Sequence, residues 1–147
     1  MAKRMSGGVS ELSKASRHRL DDARALLTVV RWRGAMYLAG YAVECLLKTK
    51  LMRRYGCLNL EELEQELRQR RQLRRQTSIF THELVVLLNL LQGRDRLRQN
   101  VTLWQQFNLV NRWAPAWRYS ADLATKEDAL DFVEAVEKIY HWINANT

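Results

Sequence analysis

The chain has 147 residues, with 24 Lys and Arg against 16 Asp and Glu for a formal charge of +8, one Pro, six Gly and two Cys. That length holds one domain with a substantial core and excludes two ordinary ones, and so little Pro and Gly excludes a turn-rich sheet protein and predicts an all-α fold. Two cysteines, Cys45 and Cys57, without metal-ligand spacing exclude a disulfide framework and a zinc centre, so a reducing, cytoplasmic setting is expected.

The first residues, MAKRMSGGVS, are basic and lead into no apolar signal core. Residues 1–9 are read as a flexible N-terminus and residues 10–147 as one helical domain. A first helix is predicted from Ser10 to about Arg31, with Leu12, Leu20, Ala23, Leu26, Leu27 and Val30 in a stripe at helical spacing. A second runs from about Arg33 to a left-handed cap at Gly56 and is apolar on nearly every side through Leu47, the pattern of a central element. Gly34, Ala35, Ala39, Gly40 and Ala42 would let neighbours approach it closely. Glu44 breaks its apolar run well short of a membrane span, so neither secretion nor membrane insertion is expected.

A third helix opens with the capping pattern Asn59-Leu60-Glu61-Glu62, carries Leu63 and Leu67, and is read through an arginine-rich end to Arg75. A fourth starts near Thr81, buries Leu84, Val85, Leu87 and Leu88, and stops before Gly93. The fifth covers about Arg96 to Trp113, until Pro115 interrupts. The last is capped by Thr125 with Asp128 and shows an apolar face of Ala129, Leu130, Phe132, Val133, Val136, Ile139, Tyr140 and Ile143. Short connections make a single up-and-down bundle of five to six helices the simplest arrangement.

Charge is unevenly spread, at +12 over residues 1–121 and −4 over residues 122–147, and 18 of the 24 cations are Arg. Arginine meets phosphate bidentately and stacks on bases, which points to RNA or a nucleotide as partner. Tyr37, Tyr41, Glu44 and Lys48 fall on one face of the second helix. They read either as an intrahelical ion pair flanked by surface hydroxyls, or as a pocket wall in which Glu44 orients a base or an Arg and Lys48 meets phosphate. His82, read as the first residue of the fourth helix, stands where the dipole would favour an anion beside a neutral imidazole. His18 and His141 are read as structural or solvent-facing.

Arg118 lies between Trp117 and Tyr119 in a loop after Pro115, held by two helices. There Trp113 and Trp117 can stack a base and Arg118 can hold a phosphate. The other reading has both Trp closing the bundle end and Arg118 capping a helix or pairing with Glu44. Arg68, Arg70, Arg71, Arg74 and Arg75 form a basic run along which a phosphate backbone could lie, although acids at the start and cations at the end also describe a solvated helix. No Gly-rich phosphate loop, zinc spacing, Ser elbow or H-E-x-x-H pattern is present, and no metal or cofactor is expected.

The pieces YLAGYAVECLLKTKL (residues 37–51), THEL (residues 81–84) and W-x-x-x-W-R-Y (residues 113–119) resemble the HEPN (higher eukaryote and prokaryote nucleotide-binding) domain, over a span from about Arg17 to the last helix. The resemblance implies the same helical bundle, a homodimer, RNA or nucleotide as ligand, and a place in a prokaryotic toxin-antitoxin or defence pair. Its expected partner is a minimal nucleotidyltransferase. Catalytic HEPN ribonucleases carry Arg followed after four to six residues by His and work without metal. Arg75 and His82 have that spacing inside an Arg-rich stretch where composition alone produces it, whereas the family's place for the pair is ahead of the last helix. The match there is Arg118-Tyr119-Ser120, and no His follows within reach. Ribonuclease activity would then need Arg118 and His82 within about 5 to 6 Å or one bridging water in space. The alternative is a non-catalytic interaction module whose basic third helix and acidic last helix serve dimerisation or docking.

Overall fold

A computed structural model describes residues 8–121 and 124–147. In chain order the elements are α1 (Val9–Thr28), α2 (Trp32–Arg54), α3 (Leu60–Gln69), α4 (Leu84–Leu90), α5 (Arg94–Arg98), α6 (Val101–Val110), a 3-10 turn (Pro115–Tyr119) and α7 (Lys126–Asn146). Among the described residues there is no strand, only an isolated bridge between Gly8 and Asn59. The all-α bundle expected from composition is the fold the chain adopts. Of the expected flexible N-terminus, residues 1–7 lie outside the described residues, while Gly8 joins that bridge and Val9 opens α1, its N–H donating to the Leu58 carbonyl at 2.9 Å.

A helix that is apolar all round is stable only when surrounded, and α2 is. Every residue from Ala42 through Thr49 is buried, and α1, α3, α4, α7 and the 3-10 turn all pack on it. Its small residues set how near the neighbours come. The Trp113 indole lies directly on Gly40, where an added Cβ would fall 2.1 Å from the ring, and its Nε1–H donates to the Tyr37 carbonyl at 2.9 Å. Ser16 of α1 ties three helices together, donating to the Ala42 carbonyl at 3.0 Å and sharing a 2.7 Å hydrogen bond with the Tyr140 hydroxyl of α7.

The chain turns by one repeated device. At the ends of α1, α2, α3 and α4 one residue adopts positive φ: Val30, Gly56, Arg71 and Gln92. In each case the next residue's N–H reaches back to a carbonyl of the last turn: Arg31 to Leu26, Cys57 to Met52, Gln72 to Leu67 and Gly93 to Leu88, all between 2.8 and 3.0 Å. This is the Schellman cap, which satisfies orphan carbonyls and normally recruits glycine. Only Gly56 is the residue the sequence rule looks for. The unsignalled caps are why α1 stops at Thr28 rather than Arg31, and why α3 stops at Gln69 instead of continuing to Arg75.

The expected fifth helix is two. Asn100 accepts a hydrogen bond from the Leu103 N–H at 3.0 Å and restarts the helix as α6, a local competition that short polar side chains win over continuation. The last helix begins as read, with the Thr125 hydroxyl accepting from the Asp128 N–H at 3.0 Å. Val30 is the costliest of the four caps, because a β-branched residue in the left-handed region crowds its own backbone and this one is also 65% exposed. Replacing Val30 by Gly relieves that crowding, and the expected outcome is a gain of about 1 kcal/mol in chemical denaturation, the left-handed cost of a non-glycine residue.

Candidate functional site

The polar row on α2 begins with Glu44, which is 4% exposed. A carboxylate withdrawn from water must be matched by donors or cations. Here Lys48 Nζ approaches Glu44 Oε2 at 3.4 Å from one turn on, and His82 Nδ1 lies 2.5 Å from Oε1. The imidazole is 54% exposed, so one edge is fixed by a buried carboxylate while the rest faces solvent. With Nδ1 committed to Glu44, Nε2 is the nitrogen left for chemistry. Of the two readings of this row, the ion pair is present, and His82 is added to it from another element.

His82 does not begin a helix. The α4 helix starts at Leu84, and the residues before it turn on their own side chains: Ser78 Oγ accepts from the Phe80 N–H and Thr81 Oγ1 from the Glu83 N–H, both at 3.1 Å. Such local acceptors displace helix formation, and the dipole expected beside His82 gives way to the Glu44 carboxylate. The loop is anchored from α3. Glu64 Oε2 accepts from the Ile79 N–H at 2.6 Å and the Ser78 hydroxyl at 3.1 Å, while Arg68, paired to Glu64 Oε1 at 2.8 Å, also donates to the Thr77 carbonyl at 2.8 Å. Glu64 is a positioning residue that the sequence shows only as half of an i,i+4 charge pair.

Beside His82 opens a cleft of about 320 Å³, walled by Leu84, Val85, Asn111, Trp113 and Pro115. Trp113 is buried and pinned on Gly40, the place that the bundle-closing reading gives it. Tyr41 is half-buried against Tyr37 and Trp113, and burial raises its hydroxyl above the ordinary value, with Cys45 and Glu44 adding to the effect. Arg118 sits at the other end of the row. It donates to its neighbour's Tyr119 hydroxyl at 2.6 Å and lies over the Tyr119 ring at 4.8 Å, a contact that raises the guanidinium further above its ordinary value, with Tyr37 contributing. Arg118 shares no hydrogen bond with His82 or Glu44. Glu44 and Tyr37 are seven residues apart on α2, about 10 Å along its axis. Trp117 packs on Phe132 at 5.2 Å and carries the Arg33 guanidinium on its face, turned away from the His82 cleft.

The model of the HEPN domain matches residues 9–146. The chain belongs to the HEPN family. No curated protein and no solved structure gives a match. In this HEPN domain the site residues read from sequence divide into a buried pair, Glu44 and Lys48, with the exposed His82 bonded to it, and a second exposed pair, Arg118 and Tyr119, with Tyr37 and Tyr41 on α2 beside them. Arg75 belongs to neither. It is exposed in the turn after α3, where Arg68 is engaged by Glu64 and Thr77, and Arg70 pairs with Glu66 at 2.6 Å and covers Tyr55. Among the described residues no group of three His, Cys, Asp or Glu side chains could hold a metal, and no helix is long and apolar enough to cross a membrane.

Two outcomes follow from the burial of Glu44. Glu44→Leu leaves Lys48 uncompensated and is expected to cost about 3–5 kcal/mol in urea denaturation, whereas the double variant with Lys48→Met should recover most of the loss, because removing a whole buried pair is close to neutral. Equal losses in the single and double variants would show that Lys48 is solvated. Burial together with the Glu44 charge pushes the Cys45 thiol up to about 12. At pH 8 Cys45 is therefore expected to resist iodoacetamide in the native protein and to react on unfolding, as read by mass spectrometry.

Proposed function

We propose that this HEPN protein binds RNA along the face from His82 to Arg118, and that His82 is the proton-transfer group of a metal-independent cleavage. The supporting observation is the 2.5 Å contact between His82 Nδ1 and the buried Glu44 carboxylate, which fixes the ring's orientation and leaves Nε2 on an open cleft. A carboxylate on Nδ1 holds the ring in one orientation and one tautomer, with Nε2 as the acceptor. In the step proposed, Nε2 takes the proton of a ribose 2′-OH and the 2′-oxygen attacks the adjacent phosphorus. The P–O5′ bond breaks, the 5′-oxygen takes a proton from water and Nε2 returns its own to solvent, leaving a 2′,3′-cyclic phosphate and a 5′-hydroxyl. Family membership supports a nucleotide- or RNA-related role.

Arg118 takes a separate part. Bonded to Tyr119 and not to His82 or Glu44, it grips a neighbouring phosphate rather than the reacting one, with Tyr119 and Tyr41 alongside the strand. A homodimer, a cytoplasmic setting and a minimal nucleotidyltransferase partner in a prokaryotic toxin-antitoxin pair belong to the same proposal and rest on the family alone. One observation favours the other reading, a non-catalytic docking module: Arg118 is engaged by its own neighbour Tyr119 and not directed at His82.

The two readings separate on a mixed RNA pool incubated with EDTA. Wild-type protein is expected to leave 2′,3′-cyclic ends, and His82→Ala to slow cleavage by about 10²–10⁴-fold, the usual contribution of a positioned acid-base group. Arg118→Ala should weaken RNA binding and lower the salt slope by about one. Absence of cleavage by the wild type, with binding indifferent to salt, would sink the RNA reading and leave the docking module.

A further inference from the structure

Arg33 lies in the first turn of α2, its guanidinium over the Trp117 ring at 5.2 Å to the centroid. Its Nε is buried and has no hydrogen-bond partner. Native proteins rarely leave a buried donor unmatched, least of all on a charged group. The reason lies beside it, in a cavity of about 350 Å³ walled by Arg33, Arg112, Trp117, Asp128, Asp131 and Phe132. Among the described residues, neither arginine and neither aspartate side chain has an ion-pair or hydrogen-bond partner. Arg112, Asp128 and Asp131 are exposed at the mouth of the cavity and the Arg33 Nε is buried in it, so two cations and two anions face one space without pairing.

That arrangement selects for a ligand carrying both kinds of group. A simple anion is drawn by the guanidiniums and repelled by Asp128 and Asp131; a simple cation meets the reverse. A molecule with a phosphate at one end and a row of O–H donors at the other satisfies both. Guanidinium pairs receive phosphate bidentately, and carboxylates accept two hydroxyls of a vicinal diol. Asp128 and Asp131 are three apart on α7 and therefore share a face, so their carboxylates are offered side by side to hydroxyl donors. The apolar part of the wall, Trp117 and Phe132, suits the flat edge of a ring. A volume near 350 Å³ lies at the lower end of small-ligand sites and holds one such unit, not a strand.

We infer that this cavity binds a phosphorylated ribose, in a site separate from the His82 cleft. The segment from Asn111 to Trp117 stands between the two, contributing Asn111 and Trp113 to one wall and Arg112 and Trp117 to the other. Because none of the cavity residues belongs to the proposed RNA cleft, the two ideas fail independently.

Isothermal titration tests it with inorganic phosphate, ribose 5-phosphate and the four ribonucleoside 5′-monophosphates. Wild-type protein is expected to bind at least one phosphorylated ribose about tenfold or more tightly than inorganic phosphate, a difference of one hydrogen-bonded group. Arg33→Gln and Asp131→Asn should each weaken that binding by about tenfold or more, and His82→Ala should leave it unchanged. Asp131 is exposed, so its variant keeps the test valid should Arg33→Gln fail to fold. Equal binding of ribose 5-phosphate and nucleotides identifies a sugar phosphate as the ligand, and tighter binding of one nucleotide identifies a base-bearing one; both uphold the inference. It is overturned if no phosphorylated ribose binds at millimolar concentration, if inorganic phosphate binds as tightly, or if Asp131→Asn binds as tightly as the wild type.

Discussion

A carboxylate inside an apolar helix is the constraint on which the arrangement depends. Glu44 lies in the fully buried stretch of α2, the helix on which α1, α3, α4, α7 and the 3-10 turn pack. It must draw its partners inward. Lys48 comes from the same helix, which fixes nothing beyond α2; His82 comes from a distant loop, which is therefore held against the bundle. The demand for charge compensation at one buried atom pair converts a loop histidine into an oriented one. Glu64 does the complementary work from the other side, with its carboxylate gripping the loop through the Ile79 N–H and the Ser78 hydroxyl.

Much of the bundle could be read from the chain, for a physical reason: burial patterns repeat with the helical period, so α1, α2 and α7 announce themselves through many residues at once. Single-residue events do not. Gly56 signals its left-handed cap because glycine is favoured there, but Val30, Arg71 and Gln92 adopt the same conformation because the surrounding contacts impose it, and no propensity rule finds them. The misplacement of the α3 end and of the start of α4 follow from such events. The same limit applies to the site. Glu44 and Lys48 are legible as a pair because both lie on one helix at a fixed spacing, while the addition of His82 depends on a loop whose path is set by Ser78, Thr81 and Glu64.

Arginine content is a weaker guide than the net charge suggests. Arg17 and Arg53 both donate to the Ser13 hydroxyl, Arg54 holds the Leu91 carbonyl at the end of α4, Arg96 holds the Asn146 carbonyl near the C-terminus, and Arg24 reaches across to Glu137 of α7. Planar, multiply donating guanidiniums suit this stitching of helix ends, where carbonyls lack partners. A chain with short connections between many helices has many such ends, and its arginines are partly explained by them. The cations that remain informative are those whose surroundings leave them unmatched.

The two cavities show why that distinction matters. Both are walled by the segment between α6 and the 3-10 turn, and that segment is held by Trp113, whose indole fits on Gly40 and hydrogen-bonds the Tyr37 carbonyl. A side chain on Gly40 would displace the indole and with it the walls of both cavities. One contact between a glycine and a tryptophan thus sets the spacing of Asn111 from His82 on one side and of Trp117 from Arg33 on the other. The absence of a side chain at Gly40 carries as much positional information as the charged groups it allows to stand where they do.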